Sequence, residues 1–207
     1  MPEDLQQKPI QRWVPLEANP EIIHELGVDS RYNYVDVLEA YEKFSAEEEA
    51  HLARHEQNIS PDVVFFKQTI GNACGMIALL HSLANNDDEI IGPGLFNDII
   101  EKAKDMSVEE RVELLENCEK LAQVHETAAG EGQTEAPDKN DSINLHFVCF
   151  VEVDQHLYEL DGRKLFPINH GKCTNLVEGA AKVMKQFMAR EPDENNFSAI
   201  AFCKTAE

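Results

Sequence analysis

From Lys67 to His81 the chain reads Lys-Gln-Thr-Ile-Gly-Asn-Ala-Cys-Gly-Met-Ile-Ala-Leu-Leu-His, a glycine-punctuated turn that gives way to an apolar helix with Cys74 at the junction. A helix from Gly75 to Ala84 this apolar has to be buried, so the rest of the chain must be organised around it. The junction at Cys74, where this helix begins, is a good place for a thiolate. Unpaired backbone N–H groups and the positive end of the macrodipole favour an anion there, lowering a thiol pKa from roughly 8.5. Gln68, earlier in the stretch, adds a neutral side-chain donor. A lone cysteine is more often a small buried hydrophobe, so a nucleophilic Cys74 requires partners elsewhere in the chain.

Composition bounds where those partners can be. At 207 residues and 43% hydrophobic content the chain can build one substantial core, and a single domain over residues 1–207 is expected. Its 18 basic against 39 acidic residues give a formal charge of -21, a surface that repels nucleic acid and anionic lipid and suits a basic partner. The opening residues Met1-Pro-Glu-Asp-Leu-Gln-Gln-Lys8 contain no apolar signal core. No run approaches the roughly 18 apolar residues of a membrane span, so a cytoplasmic protein is expected, with the nucleus as a second compartment; a monomer is a separate expectation. Five cysteines without a CxxC pair fit reduced thiols rather than a disulfide framework or zinc site, and neither metal nor cofactor is expected. Cys118, Cys149, Cys173 and Cys203 lie on or beside apolar segments and read as structural.

Trp13 to Leu16 reads as a short extended piece, followed by a helix from Pro20 to Leu26 that Asn19 caps and Gly27 closes. Tyr32 to Val37 suggests a strand, Glu39 to His55 a charged helix, and Pro61 to Phe66 a strand leading into the cysteine motif. A second helix runs from about Gly94 to Lys104, and a capping box, Ser107-Val-Glu-Glu110, opens one long amphipathic helix to about Thr127. Thr127 to Asn144 is rich in Gly, Glu, Asp, Thr and Pro, a long mobile loop of the kind that serves as an active-site lid. Phe166 to Gly171 reads as a loop, Leu176 to Arg190 as a helix and Phe197 to Cys203 as a last strand. The fold class is α/β, helices packed around a central antiparallel sheet.

Leu145 to Val153 is apolar on both faces apart from His146 and Glu152, and predicts an interior strand. Asp154-Gln155 turns it into His156 to Leu160. A two-residue turn there sets Val153 against His156 and Val148 against Asp161, which puts His146 diagonal to Asp161 on the same face. A histidine and a carboxylate become neighbours, as a base and the group orienting it must be.

Cys74 has four candidate bases, His81, His125, His146 and His170. His81 is two turns into the same helix and cannot reach back to its start. His125 belongs to a charged amphipathic helix, where a solvated histidine is the default, and His170 sits in a Pro/Asn/Gly loop where it could touch substrate. Only His146 gains a carboxylate through the hairpin.

In chain order, Gln68, Cys74, His146 and Asp161 describe a papain-like cysteine nucleophile system. The blocks Gln68-Thr-Ile-Gly-Asn-Ala-Cys74-Gly, Leu145-His146-Phe147 and Glu159-Leu-Asp161-Gly-Arg163 resemble the signature blocks of the ubiquitin carboxyl-terminal hydrolase family in its small single-domain form. Trp13 to Pro20, Glu131 to Pro137 and Pro167 to Gly171 are similar as well, so the likeness covers nearly the whole chain. It implies a thiol-dependent deubiquitinase with Cys74 as nucleophile, His146 as general base and then acid, Asp161 as its orienter, and Gln68 donating to the oxyanion. It further implies that Pro15, Leu16, Glu17, Ala18, Asn19 and Pro20 touch ubiquitin, together with Gly130, Glu131, Gly132, Gln133, Thr134, Glu135, Ala136, Glu194 and Phe197. Glu17, Glu131 and Glu135 are then candidate partners for arginines of ubiquitin's tail, and other ubiquitin-like modifiers are further candidate partners.

One stretch departs from the family pattern. After Tyr34-Val-Asp-Val37, family members carry a Pro-rich connection and a strongly apolar central strand; here Leu38-Glu-Ala-Tyr-Glu-Lys43 runs straight on. Losing an interior strand unpairs a ladder and exposes apolar edges. The alternative expectation is therefore a ubiquitin-binding or regulatory form with impaired catalysis.

Overall fold

A computed structural model describes residues 11–14, 32–33, 52, 57–86, 90–130, 146–190 and 197–204 of the chain. The predicted helices at 20–26 and 39–55 lie outside these residues but for Leu52, which is helical, as does most of the predicted lid. Around the buried helix α1 (Cys74–Ala84) the described elements run β1 (Tyr32–Asn33), α1, α2 (Leu95–Lys104), α3 (Val108–Glu116), α4 (Glu119–Gly130), β2 (Cys149–Val153), β3 (His156–Leu160), β4 (Ile168–Lys172), α5 (Leu176–Arg190) and β5 (Cys203–Lys204). The architecture is α/β, with antiparallel strand pairing throughout the two described sheets.

Helix α1 is buried for the reason its composition predicts: Met76, Leu80 and Leu83 are within 2% of full burial and pack with Phe96, Ile99 and Ile100 of α2. Leu115 of α3 and Leu121 of α4 close the same cluster. The capping box is present, with the Ser107 hydroxyl accepting from Glu110 N–H and the Glu110 carboxylate accepting from Ser107 N–H at 2.7 Å. The single long helix expected after it is instead two. Asn117 is the C-cap of α3, its side-chain amide donating to the Glu113 carbonyl beside the last helical backbone bond, and Cys118 restarts the chain as α4 by accepting from Leu121 and Ala122. Helix α4 also continues through Thr127 to Gly130, so the first residues of the expected loop are helical.

The hairpin has the predicted register. Val153 pairs with His156 and Cys149 with Leu160, while Asp154 (φ 50) and Gln155 (φ 61) both take positive φ, the two-residue geometry whose twist suits a hairpin. Two expectations fail beside it. β2 is an edge of the β2-β3-β4 sheet among the described residues, not an interior strand, and His146 to Val148 precede it without ladder pairing. The predicted loop at Phe166 to Gly171 contains most of β4, paired to β3. There, polar side chains supply the bonds that a loop reading assigns to water. Gln57 accepts from Asn169 N–H at 3.0 Å, Asn169 Oδ1 accepts from Gly171 N–H at 2.8 Å, and Gly171 (φ 90) absorbs the register shift.

β1 and β5 form a separate two-stranded sheet, and Phe197 to Phe202, expected as strand, precedes β5 without ladder pairing among the described residues. Val63 to Phe66 is buried on both sides in strand-like alternation. Val64 and Phe66 join the α1 cluster, and Val63 and Phe65 join Val151, Tyr158 and Leu160 of the hairpin. Yet this segment is not a ladder strand. Side chains bond its backbone instead. Asn85 accepts from Val64 N–H and donates to Val64 O, both at 2.8 Å, His81 Nε2 accepts from Phe66 N–H at 2.9 Å, and Arg111 donates to Phe65 O at 3.1 Å. On the other face of β3, Leu157 packs against Val183 and Phe187 of α5.

Candidate active site

Cys74 is the first residue of α1. Asn72 (φ 61) reverses the chain into it, and the N-cap is Ala73, which offers the helix start no side-chain hydrogen bond. The amides there stay available to an anion. Cys74 itself is half-buried.

His146 and Asp161 come together as the hairpin predicts, with His146 Nε2 2.6 Å from Asp161 Oδ1 and both side chains essentially inaccessible. The same Oδ1 accepts from Arg163 N–H at 2.8 Å. With Nε2 engaged by the carboxylate, Nδ1 is the imidazole nitrogen left for Cys74, the neighbouring group whose titration His146 influences. Burial pushes the Cys74 thiol up, but the neighbouring His146, the Phe147 backbone and the Arg163 guanidinium outweigh it and hold the pKa below its ordinary value. The opposite balance acts on His146: burial pushes it down, while Asp161 and Cys74 together raise it to about 9. Both shifts favour the thiolate–imidazolium form of the pair, a second cause of a lowered thiol pKa beside the helix start.

Gln68 reaches the site through the Asp161–Lys164 turn. Its backbone N–H donates to Gly162 O at 2.7 Å, and its side-chain Nε2 donates to Ile70 O at 3.1 Å, leaving one amide hydrogen for another acceptor. Glycine is required at 162 by this contact, since a Cβ there would stand 2.7 Å from Ile77 Cγ2 and 2.9 Å from Gln68 Cβ.

The other three histidines have structural partners. His81 is fully buried, stacks on Phe65 with ring centroids 5.2 Å apart, and is held neutral by burial with a pKa of about 3. His125, expected to be solvated, is buried against Trp13 and bonded to the Val14 carbonyl. His170 is turned to Glu159, with Nε2 2.8 Å from Oε2. Cys149 fits the structural reading, since burial raises its thiol pKa to about 12.

Of the residues expected at a ubiquitin surface, Gly130 is exposed at the end of α4. Phe197 is half-buried against Leu157, Cys173, Val183 and Phe187. Pro15, Leu16, Glu17, Ala18, Asn19, Pro20, Glu131, Gly132, Gln133, Thr134, Glu135, Ala136 and Glu194 lie outside the described residues.

Residues 37–189 match the sequence profile of ubiquitin carboxyl-terminal hydrolase, family 1. The chain belongs to that family. It is 40% identical over 219 positions to a ubiquitin carboxyl-terminal hydrolase of Drosophila melanogaster, covering 91% of this chain and 96% of the relative. It is 38% identical over 222 positions to human ubiquitin carboxyl-terminal hydrolase isozyme L1, covering 93% and 98%. In structure the family-1 chain resembles the Trichinella spiralis UCH37 catalytic domain bound to ubiquitin vinyl methyl ester, with a TM-score of 0.69, 26% identity, and 94% and 96% of the two chains covered.

The sequence reading missed a second buried polar group beside the site. Glu159, two residues before Asp161, is fully buried, as is Lys164, whose Nζ donates to Glu159 Oε1 at 2.5 Å. No periodicity signals it, because Glu159 and Lys164 read as ordinary surface charges until β3 and the following turn fold them inward.

Proposed function

We propose that the chain is a cysteine-type deubiquitinase that hydrolyses bonds at the C-terminal glycine of ubiquitin, with Cys74 as nucleophile, His146 as base and then acid, Asp161 as orienter and Gln68 as oxyanion donor. The observation that carries this reading is His146, held by Asp161 at 2.6 Å, beside Cys74 at the start of α1, where its charge lowers the thiol pKa. The thiolate attacks the glycine carbonyl, and the developing oxyanion takes hydrogen bonds from the free Gln68 amide hydrogen and the Cys74 backbone N–H, each donor contributing about 3 kcal/mol. His146 then protonates the leaving amine, and with that proton gone draws one from the water that cleaves the thioester.

Ubiquitin is the partner, and its basic tail suits a chain of charge -21. Related modifiers with the same C-terminal chemistry are candidate substrates, and the working form is a monomer. Treating the purified protein with a ubiquitin C-terminal vinyl ester and weighing the product tests this directly. A single ubiquitin adduct is expected on the parent and none on Cys74→Ala; a folded parent that forms no adduct overturns the reading.

A second reading, a ubiquitin-binding form with weak turnover, is favoured by one observation. An alignment of 219 positions cannot be filled by 91% of 207 residues, so the relative carries residues that this chain lacks. Saturable ubiquitin binding without release of a fluorogenic C-terminal amide would favour that form.

A further inference from the structure

We propose that Lys164 is a positioning residue for the reaction, acting through the turn that joins both arms of the site; the inference rests on the hydrolase reading above. The turn from Asp161 to Lys164 does two things at once. It presents Asp161 to His146, with Arg163 N–H donating to Asp161 Oδ1 at 2.8 Å and Lys164 N–H donating to Asp161 O at 3.0 Å. It also holds Gln68, whose backbone N–H donates to Gly162 O at 2.7 Å. A shift of this turn therefore moves the orienting carboxylate and the oxyanion donor together.

An ion pair ties the end of the turn to the sheet. Lys164 and Glu159 are both 0% exposed, with Nζ and Oε1 2.5 Å apart, and Glu159 Oε2 accepts from His170 Nε2 of β4 at 2.8 Å. Glu159 is fixed in the middle of the β2-β3-β4 sheet, opposite Phe150 on one side and Ile168 on the other. Lys164 thus ties the end of the turn to the central strand of that sheet. Such a buried pair gives little net stability over apolar residues of similar size, so its geometric effect can be separated from its stabilising one. Displacing reacting groups by about 1 Å can cost on the order of 100-fold in rate.

The test compares the parent with Lys164→Met and with Lys164→Met/Glu159→Gln, using the full chain. Three quantities are read: kcat and KM on a fluorogenic ubiquitin C-terminal amide, the melting midpoint, and the low-field imidazole N–H proton of His146 in histidine-labelled protein. The single variant leaves Glu159 buried without its cation and melts lower; the double variant removes both charges and recovers the midpoint. Positioning predicts that kcat stays about tenfold or more below the parent in the double variant, with KM unchanged and the His146 N–H signal shifted or broadened. Recovery of kcat together with the midpoint overturns the proposal, because Lys164 would then only neutralise Glu159. Should the parent release no reporter, the hydrolase reading fails separately, and the His146 signal decides: its loss in the double variant supports positioning, its retention overturns it.

Discussion

His146 Nε2 lies 2.6 Å from Asp161 Oδ1, although the two residues belong to opposite sides of a hairpin and neither is in its paired ladder. The hairpin brings them together and the chain beyond each strand end makes the contact. The carboxylate fixes which imidazole nitrogen faces Cys74, so its loss should affect the chemical step more than binding. Asp161→Asn is expected to lower kcat roughly 10²–10⁴-fold with KM nearly unchanged. A fluorogenic ubiquitin amide assay checks this, and an equal loss in binding would point to a collapsed site instead.

The Cys74 and His146 shifts give a pH dependence with a definite sign. Cys74 is held below 9.0 and His146 is raised from 6.5 to about 9, and both shifts favour the charged pair below about pH 9. Alkylation of Cys74 should stay fast below the ordinary thiol range, and kcat/KM should fall above about pH 9 as His146 loses the proton that the leaving amine needs. For stability, a folded pKa raised above the unfolded value contributes fully below 6.5 and is lost as pH rises through about 9. Urea midpoints of the parent and His146→Gln should therefore converge between about pH 6 and pH 9.5; a constant gap would contradict the assignment.

Gly162 is wedged between the two arms of the site. A Cβ at 162 would stand 2.7 Å from Ile77 Cγ2, 2.9 Å from Gln68 Cβ and 3.2 Å from Gln68 N, too close without backbone movement. Gly162→Ala is expected to cost about 1–3 kcal/mol of stability and to lower kcat further than that loss explains. Denaturant unfolding and steady-state kinetics on the same sample separate the two effects.

Asn85 does the work of a neighbouring strand for Val64, bonding both its N–H and its C=O at 2.8 Å while also donating to His81 O. Asn85→Ala leaves these groups in the core without that partner, at a cost of about 1–3 kcal/mol for each group left unpaired. Urea unfolding should show the loss as a lower midpoint with an unchanged slope.

Local signals carried much of the site. Asp154-Gln155 between two apolar runs was enough for the hairpin register, because a two-residue turn fixes which residues face each other across it. Gly71, Asn72 and the apolar run after Cys74 were enough for the helix start, and Ser107 with Glu110 for the cap of α3.

Other features exist only in the assembled molecule. Asn117 caps α3 with its side-chain amide on the Glu113 carbonyl, which the continuing apolar pattern of Leu115 and Leu121 conceals. β4 forms from a segment that reads as loop because Gln57, distant in sequence, meets Asn169. His81 and His125 become buried structural groups, and Glu159, Lys164 and His170 become one polar cluster, because packing decides which charges lose water and which partners replace it. Sequence by itself determined where a thiolate, a base and a carboxylate belong, since turn geometry and helix ends are local. Only tertiary structure decided what holds them in place, since burial and long-range hydrogen bonds depend on segments that meet only when the chain is folded.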